Sequence, residues 1–208
     1  MPDAALIMLH GLGSSPERLG DALSLLDLPD GIQFERIFPR APVLPVTINA
    51  GAEMPAWYDI FSLQEGSPQD TAGIRRASAE LGGVVAGLHA RGMDYRRIIV
   101  GGFSQGGAVA LHYASRHLSP LAGVVALSTY MPLITELPQA VTAAGRATPI
   151  FMAHGIHDEV IPLDYALTSR RALEQAGCEV EWKEYPLGHS VDAQVFANLS
   201  HWMAQRLI

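Results

Sequence analysis

The chain has 208 residues, of which 49% are hydrophobic and 17% are charged. This composition supports a folded core of single-domain size and excludes an intrinsically disordered chain. The formal net charge of −7 argues against nucleic-acid binding, which depends on clustered lysine and arginine side chains. Cys178 is the single cysteine, so a disulfide within the chain and a cysteine-based zinc cluster are both excluded.

The N-terminal residues give an expectation about location. Met1-Pro2-Asp3 lacks the basic start of a signal peptide, and the apolar segment at 4–9 is shorter than a signal's apolar core. No segment reaches the roughly 20 apolar residues that span a bilayer. We therefore expect a cytoplasmic protein without stable membrane insertion. A secreted protein that needs no disulfide is the alternative.

Short apolar runs alternate with longer helical patterns along the chain. The runs predict buried strands at 5–9, 32–38, 97–101, 123–127 and 148–153, and an edge strand at 179–185. The helical patterns cover 71–90, 105–117, 164–176 and 192–207, and we expect Gly92 and Gly177 to end two of these helices. Such alternation is typical of an α/β fold with a mostly parallel sheet. The sequence therefore predicts one α/β domain over residues 1–208.

Residues 39–66 do not fit the alternation. They contain four prolines, at positions 39, 42, 45 and 55, together with two glycines, which predicts a long loop rather than a strand or helix. The apolar side chains within this segment, including Val43, Trp57 and Phe61, indicate a loop that is ordered and packed against the core.

The candidate nucleophile lies between the predicted strand at 97–101 and the helix at 105–117. Gly102-Phe103-Ser104-Gln105-Gly106 matches G-x-S-x-G, in which a tight strand-to-helix turn exposes the serine hydroxyl. Glycine is needed on either side because the strand and helix backbones come into near contact. This context favours Ser104 as a nucleophile over an ordinary turn serine.

A serine hydroxyl needs a base and a group that orients the base. In this strand–turn–helix class the partners follow in the order acid and then histidine. Asp158 lies on the loop after the strand at 148–153, and His189 follows the last strand. In a parallel sheet, loops that follow the strands lie at the same edge of the sheet. Ser104, Asp158 and His189 are therefore the predicted triad.

Other residues could fill the same roles. His10, His154 and His157 are alternatives to His189 as the base, and Glu159, Asp164 and Asp192 are alternatives to Asp158. His154 and His157 also have ligand-like spacing beside Asp158, although the sequence offers no clear third metal ligand. The sequence therefore predicts neither a metal nor a cofactor.

Acyl transfer also needs hydrogen-bond donors for the oxyanion of the tetrahedral intermediate. One predicted donor is the backbone N–H of Gln105, the residue after the nucleophile. The other should come from the loop after the first strand, His10-Gly11-Leu12-Gly13, where the amide of Leu12 is the best candidate.

Several ordered motifs resemble one family. Six segments are similar to those of cap-less α/β-hydrolases of the carboxylesterase, acyl-protein thioesterase and lysophospholipase family. In chain order they are Leu9-His10-Gly11-Leu12-Gly13, the segment 41–51, Trp57-Tyr58-Asp59, the serine motif, the segment 154–162 and Gly188-His189. This resemblance implies an α/β-hydrolase fold with helices on both faces of the sheet and no large cap domain. It also implies the same triad and oxyanion donors, and an acyl-binding groove beside the loop at 39–66.

The groove should be apolar and lie at the carboxyl edge of the sheet. The predicted substrate-binding residues are Met54, Trp57, Met131 and Pro132, although each could equally belong to the core.

The predicted function is a serine carboxylesterase that hydrolyses short to medium acyl esters through an acyl-enzyme on Ser104. An acyl-protein thioesterase or lysophospholipase acting on long chains is the alternative, and a non-catalytic binding module is a remote one. The expected partners are a small acyl ester or an acylated protein or lipid, with pairing of two chains as a homodimer left open.

Overall fold

The computed structural model describes residues 2–27, 31–64 and 66–207, and its centre is a six-stranded sheet. Its strands are β1 (Ala4–Leu9), β2 (Phe34–Ile37), β5 (Ile98–Phe103), β6 (Gly123–Leu127), β7 (Ile150–Gly155) and β8 (Val180–Tyr185). They lie in the order β2-β1-β5-β6-β7-β8, and every neighbouring pair is parallel. The predicted parallel sheet and the polar edge strand at 179–185 are confirmed.

Helices cover both faces of the sheet, as predicted. They are α1 (Pro16–Leu23), α2 (Thr71–Ala90), α3 (Gln105–Arg116), α4 (Leu137–Ala140), α5 (Ala143–Ala147), α6 (Leu163–Gln175) and α7 (Ala193–Leu207). Alternate side chains of β1 enter two apolar clusters, one shared with α2, α3 and α6 and the other with α1 and α7. The period-2 pattern of a strand therefore builds two cores on opposite faces.

Glycines end two of the helices, as expected. Gly92 follows α2 with φ 98° and Gly177 follows α6 with φ 88°, a left-handed conformation that glycine adopts without a steric penalty. Helix α1, which begins after Ser15, was not predicted. The Ser15 side chain accepts a hydrogen bond from the Arg18 amide, and Pro16 occupies the first turn, both of which favour a helix start.

The prediction of an uninterrupted loop over 39–66 is wrong for two short segments. They form an antiparallel hairpin of β3 (Val43–Val46) and β4 (Ala52–Pro55). The turn depends on left-handed residues, Ala50 with φ 56° and Gly51 with φ 77°. Prolines are tolerated here because both strands of a two-stranded ribbon have a free edge.

The carboxyl ends of the parallel strands meet at one edge of the sheet. Between β6 and β7 the chain forms the short helices α4 and α5, so the described residues place no large helical cap over this edge. Among the described helices, none is both long enough and apolar enough to cross a bilayer.

Candidate active site

Ser104 occupies a sharp turn between β5 and α3. Its backbone has φ 54° and ψ −123°, a region that is costly for a residue with a β-carbon. The turn is held from both sides, because the Ser104 amide donates to Leu127 O at 2.8 Å and Thr129 Oγ1 donates to Ser104 O at 2.7 Å. The surrounding structure therefore holds the serine side chain at the sheet edge.

The two glycines of the serine motif are required by close backbone packing. A β-carbon added at Gly102 would lie 2.4 Å from the carbonyl carbon of Gly106, and one added at Gly106 would lie 2.2 Å from Leu9 O. Backbone atoms cannot give way as a flexible side chain can, so larger residues at these positions would disrupt the turn.

The three predicted triad residues lie in one hydrogen-bonded chain. His189 Nε2 is 2.9 Å from Ser104 Oγ, and His189 Nδ1 is 2.7 Å from Asp158 Oδ2. The loop that follows β5, the loop that follows β7 and the loop that follows β8 each supply one member. The ring of Phe103 packs against His189 with centroids 4.8 Å apart, which limits the rotation of the imidazole.

Asp158 is built to remain a hydrogen-bond acceptor. Its side chain is fully buried, and Oδ1 accepts from the amides of Val160 at 2.9 Å and Ile161 at 2.8 Å. Its other oxygen faces His189, and His154 Nε2 lies 3.4 Å from it. Because Oδ1 is committed to two backbone donors, Oδ2 is the atom available to orient the His189 ring.

The three histidines that were alternatives to His189 as the base have other surroundings. His10 Nε2 accepts from the Ala41 amide at 3.2 Å, so its Nδ1–H is free to donate to Gly11 O at 2.8 Å. His154 Nε2 donates to Ile161 O at 2.9 Å. Burial lowers the pKa of both His10 and His154, so the neutral imidazole is favoured at each position. His157 is exposed on the turn before Asp158.

Among the described residues, Asp158 is the acid that is hydrogen-bonded to His189, and the alternative acids have other surroundings. Glu159 is exposed, Asp164 lies in the first turn of α6, and Asp192 Oδ1 accepts from the Val195 amide at 3.0 Å. For the metal alternative, the described residues contain no group of three histidine, cysteine, aspartate or glutamate side chains arranged to hold an ion.

Two backbone amides beside Ser104 have no acceptor within the described part of the chain. These are the N–H groups of Leu12 and Gln105. Both residues line the cavity that contains the Ser104 and His189 side chains. Gln105 is the first residue of α3, where a helix leaves its amides unpaired. Unpaired donors facing a cavity beside a serine are the arrangement that an oxyanion requires.

The Gln105 side chain connects three segments around this position. Its Oε1 accepts from the Trp57 amide at 2.9 Å, and its Nε2 donates to Tyr58 O at 2.7 Å. Trp57 Nε1 then donates to His10 O at 2.8 Å. The loop after β1 is thereby tied to the segment at 57–58 and to the start of α3. Sequence reasoning missed this network, because side-chain hydrogen bonds between distant segments leave no local pattern.

The cavity beside Ser104 has a volume of about 250 Å³. Its apolar lining includes Leu12, Ile60, Leu63, Tyr130 and Val160. Ile60 and Leu63 could have been identified from their position in the 39–66 segment. Tyr130 and Val160 could have been identified from their position on loops that follow a predicted strand. We name this space the acyl cavity.

The predicted substrate-binding residues are not part of the described lining of the acyl cavity. Trp57 and Met131 are buried at 3% and 0% exposure, and Pro132 is also buried. Met54 packs against the core and its sulfur accepts from Asn49 Nδ2 at 3.2 Å. Their contact with a substrate stays a prediction, and the structure places Trp57, Met131 and Pro132 in the interior and Met54 half-buried on β4.

Comparison with known proteins gives a consistent result. The phospholipase/carboxylesterase family model matches residues 1–207. An acyl-protein thioesterase 1 of Mycosarcoma maydis is 34% identical, with 97% of this chain and 90% of that protein covered. A probable carboxylesterase of Oryza sativa subsp. japonica is 33% identical, with coverage of 97% and 77%.

Solved structures agree with the sequence relatives. The crystal structure of Arabidopsis thaliana SOBER1 matches with a TM-score of 0.94 and 27% identity over 99% of each chain. That of Zea mays acyl-protein thioesterase 2 matches with a TM-score of 0.88 and 26% identity, over 100% of this chain and 95% of that one. Because the family model matches nearly every residue, the chain belongs to the phospholipase/carboxylesterase family and has its α/β-hydrolase fold.

Proposed function

We propose that this protein is a serine hydrolase that cleaves carboxylic ester or thioester bonds through an acyl-enzyme on Ser104. The observation that carries the proposal is the hydrogen-bonded chain from Ser104 Oγ through His189 to Asp158. Such a chain activates an otherwise weak hydroxyl nucleophile. Membership of the phospholipase/carboxylesterase family supports the same reaction class.

In the first half of the reaction, Ser104 Oγ attacks the carbonyl carbon while His189 Nε2 takes the hydroxyl proton. The resulting oxyanion accepts hydrogen bonds from the Leu12 and Gln105 amides. Asp158 holds Nδ1–H of His189 and stabilises the imidazolium. The intermediate collapses when His189 donates its proton to the leaving oxygen or sulfur, which leaves an acyl ester on Ser104.

In the second half, His189 takes a proton from a water molecule that attacks the acyl ester. The same two amides stabilise the second oxyanion. Collapse of this intermediate breaks the bond to Ser104 Oγ, which regains its proton from His189. The products are a carboxylic acid and the free enzyme, and no cofactor takes part in this balance.

We assign short to medium acyl groups to the acyl cavity. Its volume of about 250 Å³ lies just below the roughly 300–1,000 Å³ of typical small-molecule sites, and its lining is mostly apolar. The second candidate is hydrolysis of long-chain acyl groups from proteins or lysophospholipids. It is favoured by the name of the Mycosarcoma maydis relative, an acyl-protein thioesterase.

We also propose a cytoplasmic location. Cys178, the single cysteine, is buried and free, so nothing in the fold depends on an oxidising compartment. Fractionation of the native organism's cells with an antibody to this chain tests the location, and recovery of the protein outside the cytoplasm would contradict it.

The proposed reaction is tested by measuring kcat/KM for matched oxyesters and thioesters with acyl chains of two to sixteen carbons. Ser104→Ala should lower kcat by a factor on the order of 10⁶ where the whole triad acts together. Ser119→Ala, at the opposite edge of the sheet, is the matched control and should leave kcat unchanged. Activity of Ser104→Ala within tenfold of the parent would remove Ser104 from the mechanism.

The same series separates the two substrate candidates. A maximum at short or medium chains supports the carboxylesterase assignment. A steady rise toward the sixteen-carbon thioester supports the long-chain alternative, because such a chain has to extend beyond the acyl cavity.

A further inference from the structure

A second cavity lies beside the acyl cavity, on the side of the sheet covered by α1 and α7. Its volume is about 290 Å³, and it shares Gly11, Ser14 and Phe103 with the acyl cavity. A β-carbon added at Gly11 would lie 3.3 Å from both the Phe103 ring and Ser104 Cβ. The second cavity therefore adjoins the acyl cavity at Gly11, Ser14 and the Phe103 ring, next to the reacting serine.

The lining of the second cavity is mostly apolar, and it also contains one cation and the polar residues His10, Ser14 and Ser190. Leu19, Ala22 and Leu23 of α1 form one wall, and Val191 and Phe196 form the other. Arg18 also lines the cavity. Neighbouring Glu17 is paired with Arg40, whereas Arg18 has no ion-pair partner among the residues that the structure describes. The cavity thus combines an apolar interior with one unneutralised positive charge.

We propose that this second cavity binds the leaving group of the ester, and that it favours an apolar or aromatic leaving group that carries a negative charge. The inference rests on the proposed serine hydrolase function and specifies its substrate. In that reaction His189 donates a proton to the leaving atom, so the leaving group departs on the side of His189. Ser190 and Val191, the two residues after His189, line this cavity.

The Phe103 ring, which lines both cavities, also supports departure of the leaving group toward the second cavity. It packs against the His189 imidazole and lines both cavities. With the acyl group in the acyl cavity and the oxyanion on the Leu12 and Gln105 amides, the second cavity is the adjoining space for the alcohol or thiol portion. The charge of Arg18 then selects a leaving group with an anionic end.

The test uses three butyrate esters that share one acyl group. Methyl butyrate has a small leaving group, 4-ethylphenyl butyrate has an apolar aromatic one, and 4-(carboxymethyl)phenyl butyrate has a similar aromatic one with a carboxylate. Each variant is compared with the parent on each ester, so differences in intrinsic ester reactivity cancel. Fluorescence and circular dichroism confirm that each variant is folded.

Ala22→Trp fills part of the second cavity. We expect kcat/KM for both aryl esters to fall at least about tenfold relative to that for methyl butyrate, as steric exclusion from an apolar pocket does. Ala86→Trp, at an exposed position of α2 on the other face of the sheet, is the matched control and should not change this ratio. An unchanged ratio in Ala22→Trp would overturn the proposal.

Arg18→Gln tests the charge without changing a buried side chain, so it remains informative if Ala22→Trp fails to fold. It should lower kcat/KM for the carboxylate ester about threefold relative to the 4-ethylphenyl ester, because an exposed ion pair has a small effect. The difference should shrink at high salt. Equal effects on the two aryl esters would refute the charge preference.

Two further outcomes are distinguishable. If Ala22→Trp instead shortens the preferred acyl chain in a series of methyl esters, the second cavity holds the acyl group and the proposal is overturned while the serine mechanism stands. If Ser104→Ala hydrolyses all three esters as the parent does, the proposed function fails, and the leaving-group assignment fails with it.

Discussion

The Asp158→Asn substitution tests the orientation of the triad through hydrogen-bond geometry. In the parent, Oδ1 accepts from the Val160 and Ile161 amides and Oδ2 faces His189 Nδ1. An asparagine has one acceptor oxygen and one NH2 group. If its oxygen replaces Oδ1, its NH2 group faces His189, and Nδ1 must then become an acceptor.

The energetic preference between the two amide orientations follows from these contacts. If instead the asparagine oxygen faced His189, the part-buried Val160 amide and the buried Ile161 amide would both face an NH2 group, at about 1–3 kcal/mol for each unsatisfied buried donor. The native-like orientation is therefore favoured by several kcal/mol. It places the His189 proton on Nε2, so this atom cannot accept the proton of Ser104.

We expect Asp158→Asn to lower kcat about 10⁴-fold, as the wrong imidazole tautomer does in a serine protease triad, which corresponds to about 5 kcal/mol in the activation barrier. The assay is steady-state hydrolysis of a butyrate ester at pH 7.5. Asp164→Asn and Glu159→Gln are matched controls, and each should retain activity. Loss of activity in Asp164→Asn together with a change of less than tenfold in Asp158→Asn would refute the assignment.

Two other predictions concern the loop that carries His189 and the buried histidine of α3. A β-carbon added at Gly155 would lie 2.3 Å from both Leu187 O and Gly188 O, so Gly155→Ala should displace His189 and lower kcat/KM about 10²-fold. Gly87→Ala in α2, with no atom within 4 Å of the added carbon, is the control for both activity and stability. Equal activity of the two variants would contradict the packing argument. His112 is 3% exposed and neither ring nitrogen has a partner among the described residues, and its burial lowers its pKa to about 4. At His112 the unfolded chain therefore binds more protons than the folded one between pH 6.5 and 4, so the contribution of this residue to the free energy of unfolding is fully present above pH 6.5 and should fall by about 2 kcal/mol by pH 4.5. Urea denaturation should show that His112→Leu removes this part of the pH dependence, and an unchanged slope would contradict it.

The sequence by itself determined the fold class and the position of the candidate triad. Apolar runs alternating with helical patterns specify parallel strands joined by helices. The carboxyl ends of parallel strands lie at one edge, so Ser104, Asp158 and His189 could be assigned to a common site although 85 and 31 positions separate His189 from the other two. The close approach at Gly102 and Gly106 was likewise readable from the serine motif, because a local turn sets it.

Only the tertiary structure decided which side chains line the site. Met54, Trp57, Met131 and Pro132 were expected at the groove from their apolar character and loop positions. The fold instead turns Ile60, Leu63, Tyr130 and Val160 toward Ser104 and leaves Trp57 and Met131 buried.

The hairpin within 39–66 and the network of Gln105, Trp57 and His10 were hidden for a related reason. The hairpin depends on a left-handed turn at Ala50, and the network depends on hydrogen bonds between residues 47 and 48 positions apart. Sequence periodicity reports which face of a regular element is buried. The direction of a loop side chain depends on contacts with distant segments, and these exist only after the chain has folded.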